Sequence, residues 1–333
     1  MHGSTTAEQA LRSQDEFRAL VEEHRATLHA HCYRMLGSLH DADDALQDTL
    51  LRAWRGLPAH EGRSTLRTWL YRIATNVCLD AIARRSKRVL PIDYGPATET
   101  GGEESRAESL WIEPYPDAQI GLADGYACPE ARYEQREAVE LAFVAALQNL
   151  PPRQRAVLIL RDVLGFSARE VSEALDATVA SVNSTLQRAR KAADERLPER
   201  SQQETIRALG DDRLRALVDR FIEAFVAGDV SAILALLADD ATFAMPPYAG
   251  WCQGRDAISR SWLMPGGPAP RLHYVATRAN GQPAVGTYLL DGGSYRPIAL
   301  DVLALRGERI AAVTAFRTPA IFARFALPEQ VPA

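Results

Sequence analysis

The sequence predicts a multidomain fold in which two all-α domains precede an α+β domain. Three observations carry that expectation. Apolar residues recur at helical spacing from about Asp15 to Leu197. A stretch rich in proline, glycine and acid cuts this helical region in two. From Arg271 to Phe316 the pattern becomes an alternation of apolar and polar residues broken by glycine turns, after two further helices. The expected boundaries are 12–90 for the first helical domain, 91–130 for the interrupting segment, 131–198 for the second helical domain, 199–210 for a polar connection and 211–328 for the α+β domain. At 333 residues the chain can bury surface enough for several domains, and 47% hydrophobic residues argue against disorder.

No run of eighteen apolar residues occurs, and the opening MHGSTTAEQALRSQDEF has neither a basic start nor an apolar stretch. Neither a membrane span nor a secretory signal is therefore expected, which points to the cytoplasm. Cys32, Cys78, Cys128 and Cys252 form no CxxC pair and read as reduced structural thiols. His24, His29, His31 and His40 gather near Cys32, but helical spacing sends His29 away from His24 and His31. The histidines are expected on the surface, with no metal and no cofactor.

In the first domain, "DADDALQDTLLRAW" buries Ala42, Ala45, Leu46, Leu50 and Ala53 and lines Asp41, Asp44 and Asp48 along another face with Gln47 and Leu51. Acids at i, i+3 and i+7 repel mildly, so they do not serve the helix itself. Such a row is either a solvated face or a docking face for a basic partner. Next, "STLRTWLYRIATNVCLDAIARRSKR" reads as one amphipathic helix with Leu66, Leu70, Ile73, Val77 and Ala81 inward and Trp69, Arg72 and Asn76 along the flank. From Arg63 to Arg88 there are seven basic residues and one acid, a local charge of about +6 in a chain of net charge −5. That asymmetry marks a phosphate-binding face.

Between Val89 and Glu130 nine acids face one base, which predicts an extended, self-repelling linker. In the second helical domain Pro151 and Pro152 sit where a helix starts, and Gly165 ends it. Ser167 and Glu170 form a capping box for a short helix, and Asp176, Ala177 and the N-cap Thr178 turn the chain into a longer one. Short helix, tight turn and longer helix make a helix-turn-helix pattern. On the longer helix Val179, Val182, Leu186 and Ala189 are expected inward. Ser181, Ser184, Gln187, Arg188 and Lys191 are expected outward, where they suit base edges and phosphates.

These three motifs, in order and spacing, resemble regions 2 and 4 of the extracytoplasmic-function sigma factors of bacterial RNA polymerase. The resemblance covers roughly Asp15 to Leu197. It implies core RNA polymerase and promoter DNA as partners, with Asp41, Asp44, Gln47, Asp48 and Leu51 docking on the polymerase. It further implies that Arg63, Ser64, Thr65, Trp69, Arg72 and Asn76, with Arg84, Arg85, Lys87 and Arg88, engage the melted minus-ten element. The helix from Thr178 would read the minus-thirty-five element through Ser181, Asn183, Ser184, Gln187, Arg188 and Lys191. Flipping a base out of the stack costs a few kcal/mol, which an aromatic flank beside phosphate-holding arginines can offset. Where many relatives carry Lys and Arg around the serine of this helix, the chain has Asn183, Ser184 and Thr185, so no promoter sequence is implied.

With "RLRALVDRFIEAFVAGDVSAILALLADDATFAMPPYAGWCQGRDAI" followed by strands containing "ATRANGQPAVGTY" and "LDVLALRGERIAAVTAF", the tail Asp211 to Leu327 resembles the SnoaL-like, polyketide-cyclase-like cone fold. Such an extension, in a subgroup of these sigma factors, implies intramolecular regulation, and the turn Asn280, Gly281, Gln282, Pro283 and Ala284 is expected to contact the sigma region. Tyr248, Trp251, Trp262, His273 and Asp301 could line a pocket, but packing is the expected role of each and no enzyme activity is expected. Two rivals remain: a DNA-binding module fused to a cyclase- or isomerase-type enzyme, and a helix-turn-helix repressor.

Overall fold

The computed structural model describes residues 3–59, 65–99, 105–120, 133, 137–262 and 272–333. In chain order come α1 (Gly3–Leu36), α2 (Leu39–Gly56), α3 (Leu66–Ile82), the single turn α4 (Pro91–Tyr94), α5 (Leu141–Gln148), α6 (Pro152–Leu158), α7 (Ala168–Ala174) and α8 (Val179–Asp194). The third part holds α9 (Gln202–Leu209), α10 (Asp211–Ala227), α11 (Val230–Leu236), β1 (Leu237–Ala244), β2 (Trp251–Gln253), α12 (Arg255–Trp262), β3 (Leu272–Ala279), β4 (Gln282–Asp291), β5 (Ser294–Arg306), β6 (Arg309–Phe316) and β7 (Val331–Pro332). No helix among the described residues is long and apolar enough to cross a membrane.

The local signals act as their chemistry requires. Gly37 takes φ +69° after α1, and the Ser38 side chain then caps α2 by accepting from the Asp41 N–H at 3.1 Å. Ser167 and Glu170 close the capping box of α7, and Thr178 caps α8. A π turn, Ile159–Val163, continues α6 before Gly165 reverses the chain at φ +69°. The helix expected from Ser64 to Arg88 stops at Ile82. Val89 beyond it exchanges backbone hydrogen bonds with Leu110 and Ile112, at 2.9 and 3.0 Å, which demands extended chain.

The chain packs into two compact units. The first takes the described residues of Met1–Arg85, Gln119–Gln135 and Leu147–Glu195. Its core joins Leu28, Cys32, Tyr33, Leu46, Leu70 and Tyr71 of the first three helices to Val157, Leu160, Val171 and Leu186 of the helix-turn-helix. A buried polar knot runs through it. Arg155 donates to the Met35 carbonyl and to Gln148 Oε1 (2.6 Å), and Gln148 Nε2 donates to the Arg34 carbonyl at 3.1 Å. Burial lowers the Arg155 pKa to about 10, which leaves it charged. The histidines do not follow the surface expectation, because His24, His29 and His31 are buried and only His40 is exposed. His29 pairs with Asp43 and His31 with the Thr75 hydroxyl, so they serve helix packing.

The second unit takes the described residues of Ser86–Ala118, Arg136–Ala146 and Arg196–Ala333. Its sheet has the order β2-β1-β6-β5-β4-β3, with β1 and β6 parallel and β7 beside β5. Leu217, Val218 and Phe221 of α10 pack onto one face against Tyr274, Val285, Leu303 and Val313. The acidic segment is no solvated linker where it is described. Leu90, Trp111, Ile112 and Tyr115 are buried, and its backbone docks on the β2 region through Thr98 N–H to Trp251 O (2.8 Å) and Arg106 N–H to Pro247 O (2.9 Å). Net charge describes a whole segment, whereas burial is decided by the few apolar residues that find a partner surface.

Candidate polymerase and nucleic-acid interface

On α2, Asp44, Gln47, Asp48 and Leu51 are exposed, and Leu51 (48%) and Trp54 (42%) are large apolar side chains left in solvent. Asp41 does not belong to that face. It is buried at the α2 N-terminus and ion-paired with Arg85. Arg52 bridges Asp48 (3.7 Å) and Asp80 (3.4 Å), and these groups line a cleft of about 310 Å³ between α2 and the end of α3. Leu50, expected inside, is half-buried, and Thr49 is buried in its neighbourhood instead, bonding the Ala45 carbonyl.

Thr65 caps α3 by accepting from the Thr68 N–H at 3.1 Å. Arg63 and Ser64 lie outside the described residues. Along the helix Trp69 and Asn76 are half-buried and Arg72 is exposed; the buried face is Leu70, Tyr71, Ala74, Val77 and Cys78, with Leu66, Ile73 and Ala81 at its margin. Arg84, Arg85 and Lys87 are exposed. Arg88 is not a surface cation. It is buried in the second unit, donates to the Trp111 carbonyl at 2.8 Å and lies 3.5 Å from Glu113, and burial lowers its pKa.

Two neighbours that sequence reasoning passed over matter more. The Arg67 guanidinium sits 4.3 Å from the Phe166 ring centre and 5.6 Å from that of Tyr71, and donates to the Leu164 carbonyl at 2.8 Å. The Thr68 hydroxyl donates to Glu170 Oε1 at 3.0 Å. No local pattern marks these contacts with Leu164, Phe166 and Glu170, which lie about a hundred residues away in sequence.

On α8, Ser181, Asn183, Ser184, Gln187, Arg188 and Lys191 are all exposed, while Val182, Leu186, Ala189 and Ala193 are buried. Val179, expected inward, is 44% exposed because it sits in the first turn, before the packed stripe begins. Ser184 Oγ donates to the Ser181 carbonyl and Arg188 to Thr185 Oγ1, so both are held on their own helix. The helix is aimed by a fork that the sequence did not announce. Arg190 grips the buried Asp162 carboxylate with two bonds of 2.7 Å, which also raises the Arg190 pKa.

In the second unit Asn280 (φ +57°) and Gly281 (φ +70°) make the tight Asn-Gly turn between β3 and β4. Asn280 Oδ1 accepts from Tyr115 N–H at 2.8 Å, and its Nδ2 donates to the Val139 carbonyl at 2.7 Å. Gln282 Oε1 accepts from Leu141 N–H at 3.0 Å. Glu140, between these partners, accepts from the Gln202 and Gln203 N–H groups at 2.9 Å each. Burial outweighs those bonds and lifts its pKa to about 7. Of the residues considered for a pocket, Trp251 is buried and donates to the Gly95 carbonyl, and Tyr248 bridges to Ser105. The Trp262 side chain lies outside the described residues. His273 stacks near Tyr288 and Tyr295, whereas Asp301 accepts from Thr287. Register places Thr287 opposite Tyr274 and one residue from Tyr288, so Asp301 and His273 face opposite sides of the sheet.

Three family models match the chain: Sigma-70 region 2 over residues 20–88, Sigma-70 region 4 over 140–192, and the SnoaL-like domain over 218–317. The chain is 43% identical over 328 residues to the ECF RNA polymerase sigma factor SigG of Mycobacterium tuberculosis, covering 95% of this chain and 85% of that one. This chain belongs to the extracytoplasmic-function sigma factors. The sigma factor is also 30% identical to SigW of Bacillus subtilis, over 55% of this chain and 90% of the relative, so that similarity is confined to part of the molecule. The crystal structure of Mycobacterium tuberculosis SigJ shares its fold, with a TM-score of 0.55 at 22% identity over 94% of this chain and 99% of that one.

In this sigma factor the region 4 model begins at residue 140, between Val139 and Leu141, whose backbone groups Asn280 and Gln282 hold. An Asn-Gly turn could be read from the sequence. The partners of its side chains could not, because they lie 141 and 165 residues away.

Proposed function

We propose that the sigma factor docks on core RNA polymerase through the exposed face of α2 (Asp44, Gln47, Asp48 and Leu51, with Trp54 added and Asp41 left out). In the same reading α3, with Trp69, Arg72, Asn76 and the Arg84–Lys87 cluster, engages the melted minus-ten strand, and α8 reads the minus-thirty-five element in the cytoplasm. One observation carries this reading: the row Ser181 to Lys191 is exposed along a helix whose other face is packed and whose azimuth Arg190–Asp162 fixes. Polar side chains held at a set angle and left in solvent are what base-edge readout needs.

The SnoaL-like domain acts in this proposal as a regulator, gripping the start of region 4 through Asn280 and Gln282, and not as a catalyst. The rival enzyme reading has a foothold in Asp301, whose pKa burial raises to about 6. Against it, His273 stands on the other side of the sheet, so that pair cannot pass a proton. Run-off transcription from native promoters by purified core polymerase tests the whole reading. The chain should confer initiation and Asp48→Arg should abolish it at unchanged helical content; absence of initiation by the wild-type chain would overturn it.

A further inference from the structure

One carboxylate stands on the helix-covered face of the sheet in the second unit. Val285, Leu303 and Val313 make the core on that face. Asp301 is the register partner of Val285 and lies two residues before Leu303, so its side chain points the same way. Thr287, two residues after Val285, and Tyr274, the register partner of Thr287, share that side. Burial lifts the Asp301 pKa to about 6, although the Thr287 hydroxyl and the Arg317 charge both pull it down. The side chain is nonetheless only half-buried. A carboxylate that the protein encloses and solvent still reaches lines an opening between the helices and the sheet.

Its bonding is incomplete on one side. Thr287 Oγ1 donates to Asp301 Oδ2 at 2.6 Å, but among the described residues Oδ1 and the Tyr274 hydroxyl have no hydrogen-bond partner and no cation pairs with Asp301. Tyr274 is close enough that the Asp301 charge adds to burial in raising its pKa. Arg317 is exposed and turns its guanidinium to Met245 Sδ at 3.6 Å. An enclosed carboxylate is ordinarily paired with a cation, and this one is not. Apolar walls stand beside it. The Phe225 and Tyr274 ring centres are 5.8 Å apart, and Phe225 and Leu272 pack on the core while staying partly open. A free carboxylate oxygen, a phenol oxygen and aromatic faces together suit an ammonium group. We propose that this face of the SnoaL-like domain is a receptor for a small primary amine with an apolar body, its ammonium held by Asp301 and Tyr274 and its body laid against Phe225 and Leu272. The site binds without chemistry and is independent of polymerase and DNA contacts. It sits on β5, the strand whose Leu303 carbonyl accepts from the Gln282 amide at 3.1 Å, so receptor and grip share one strand.

Isothermal titration calorimetry of the full chain with primary amines, from ethylamine to 2-phenylethylamine, tests this. Saturable binding should tighten as the apolar body grows, and 2-phenylethanol, the neutral counterpart, should bind about tenfold more weakly than 2-phenylethylamine. Asp301→Asn keeps the shape and an acceptor for Thr287 and should cost about tenfold in amine affinity, Tyr274→Phe about threefold. Circular dichroism and melting confirm that each variant folds. Affinity should also fall about tenfold from pH 7 to pH 5 as Asp301 takes up its proton, and Asp301→Asn should abolish that dependence. Tyr274 of β3, Thr287 of β4 and Arg317 after β6 face the same carboxylate, and none of these side-chain types changes charge between those values. No saturable binding by any amine of the series up to about 10 mM, or equal binding of 2-phenylethanol, would overturn the receptor. Amine binding that neither Asp301→Asn nor acid weakens would overturn the site.

Discussion

The outward face of α8 and the turn at Asn280–Gln282 are both short runs of polar residues, and the structure treats them oppositely. The α8 residues are exposed and bond at most to their own helix. Asn280 is fully buried, Gln282 is 2% exposed, and their amides bond to Tyr115, Val139, Leu141 and Leu303. A polar run is a recognition surface when the chain leaves its donors to solvent, and architecture when the chain itself satisfies them.

The largest effect separating the two is expected at the turn. Asn280→Ala would remove the amide's buried bonds to the Tyr115 N–H and the Val139 carbonyl and place an alanine at φ +57°, at a cost of about 3 kcal/mol or more. Urea unfolding should show that loss, while a loss below about 1 kcal/mol would move the turn to the recognition class.

Acid should distinguish the two units next. His31 is held neutral with its pKa lowered to about 3, by burial first and Arg34 second. Its stabilisation is complete above the ordinary value of 6.5 and is lost as pH falls towards 3. Glu140 runs the other way: its pKa is raised from 4.5 to about 7, so its contribution is complete below 4.5 and lost as pH rises through 7. Between about pH 7.5 and 5 the first unit should weaken and the second strengthen. Urea unfolding at both values checks this, with His31→Gln flattening the loss and Glu140→Gln the gain.

Smaller still is the binding effect on α8. Arg188→Ala should weaken promoter-duplex binding about tenfold and reduce the salt slope by about 0.9 without moving the melting temperature. Ser184→Ala should change stability by less than about 0.5 kcal/mol and affect only affinity. A melting shift in either variant would show that α8 spends its outward face on packing.

Truncation at the polar connection 199–210 would not isolate the role of the α+β domain. Cutting after Arg200 removes Trp251, Pro247 and Asn280, to which Thr98, Arg106 and Tyr115 bond, together with the Gln202 and Gln203 N–H groups that Glu140 caps. Point changes at Asn280 and Gln282 separate regulation from exposed apolar surface.

The amino-acid sequence by itself determined the helical character of the first two domains, the caps of α7 and α8, the helix-turn-helix and the Asn-Gly turn, because each is set within a few residues: Ser167 reaches Glu170, Thr178 reaches Ser181, and a buried stripe repeats along one helix face. It also placed the exposed rows on α2 and α8, apart from Asp41 and Val179. Only the tertiary structure decided which polar groups were already taken. Arg88 binding Trp111, Thr68 binding Glu170 and Asn280 binding Tyr115 join residues 23, 102 and 165 positions apart. Charge and periodicity carry no information about such pairs, since a buried partner is selected by the packing of whole elements and not by neighbours along the chain.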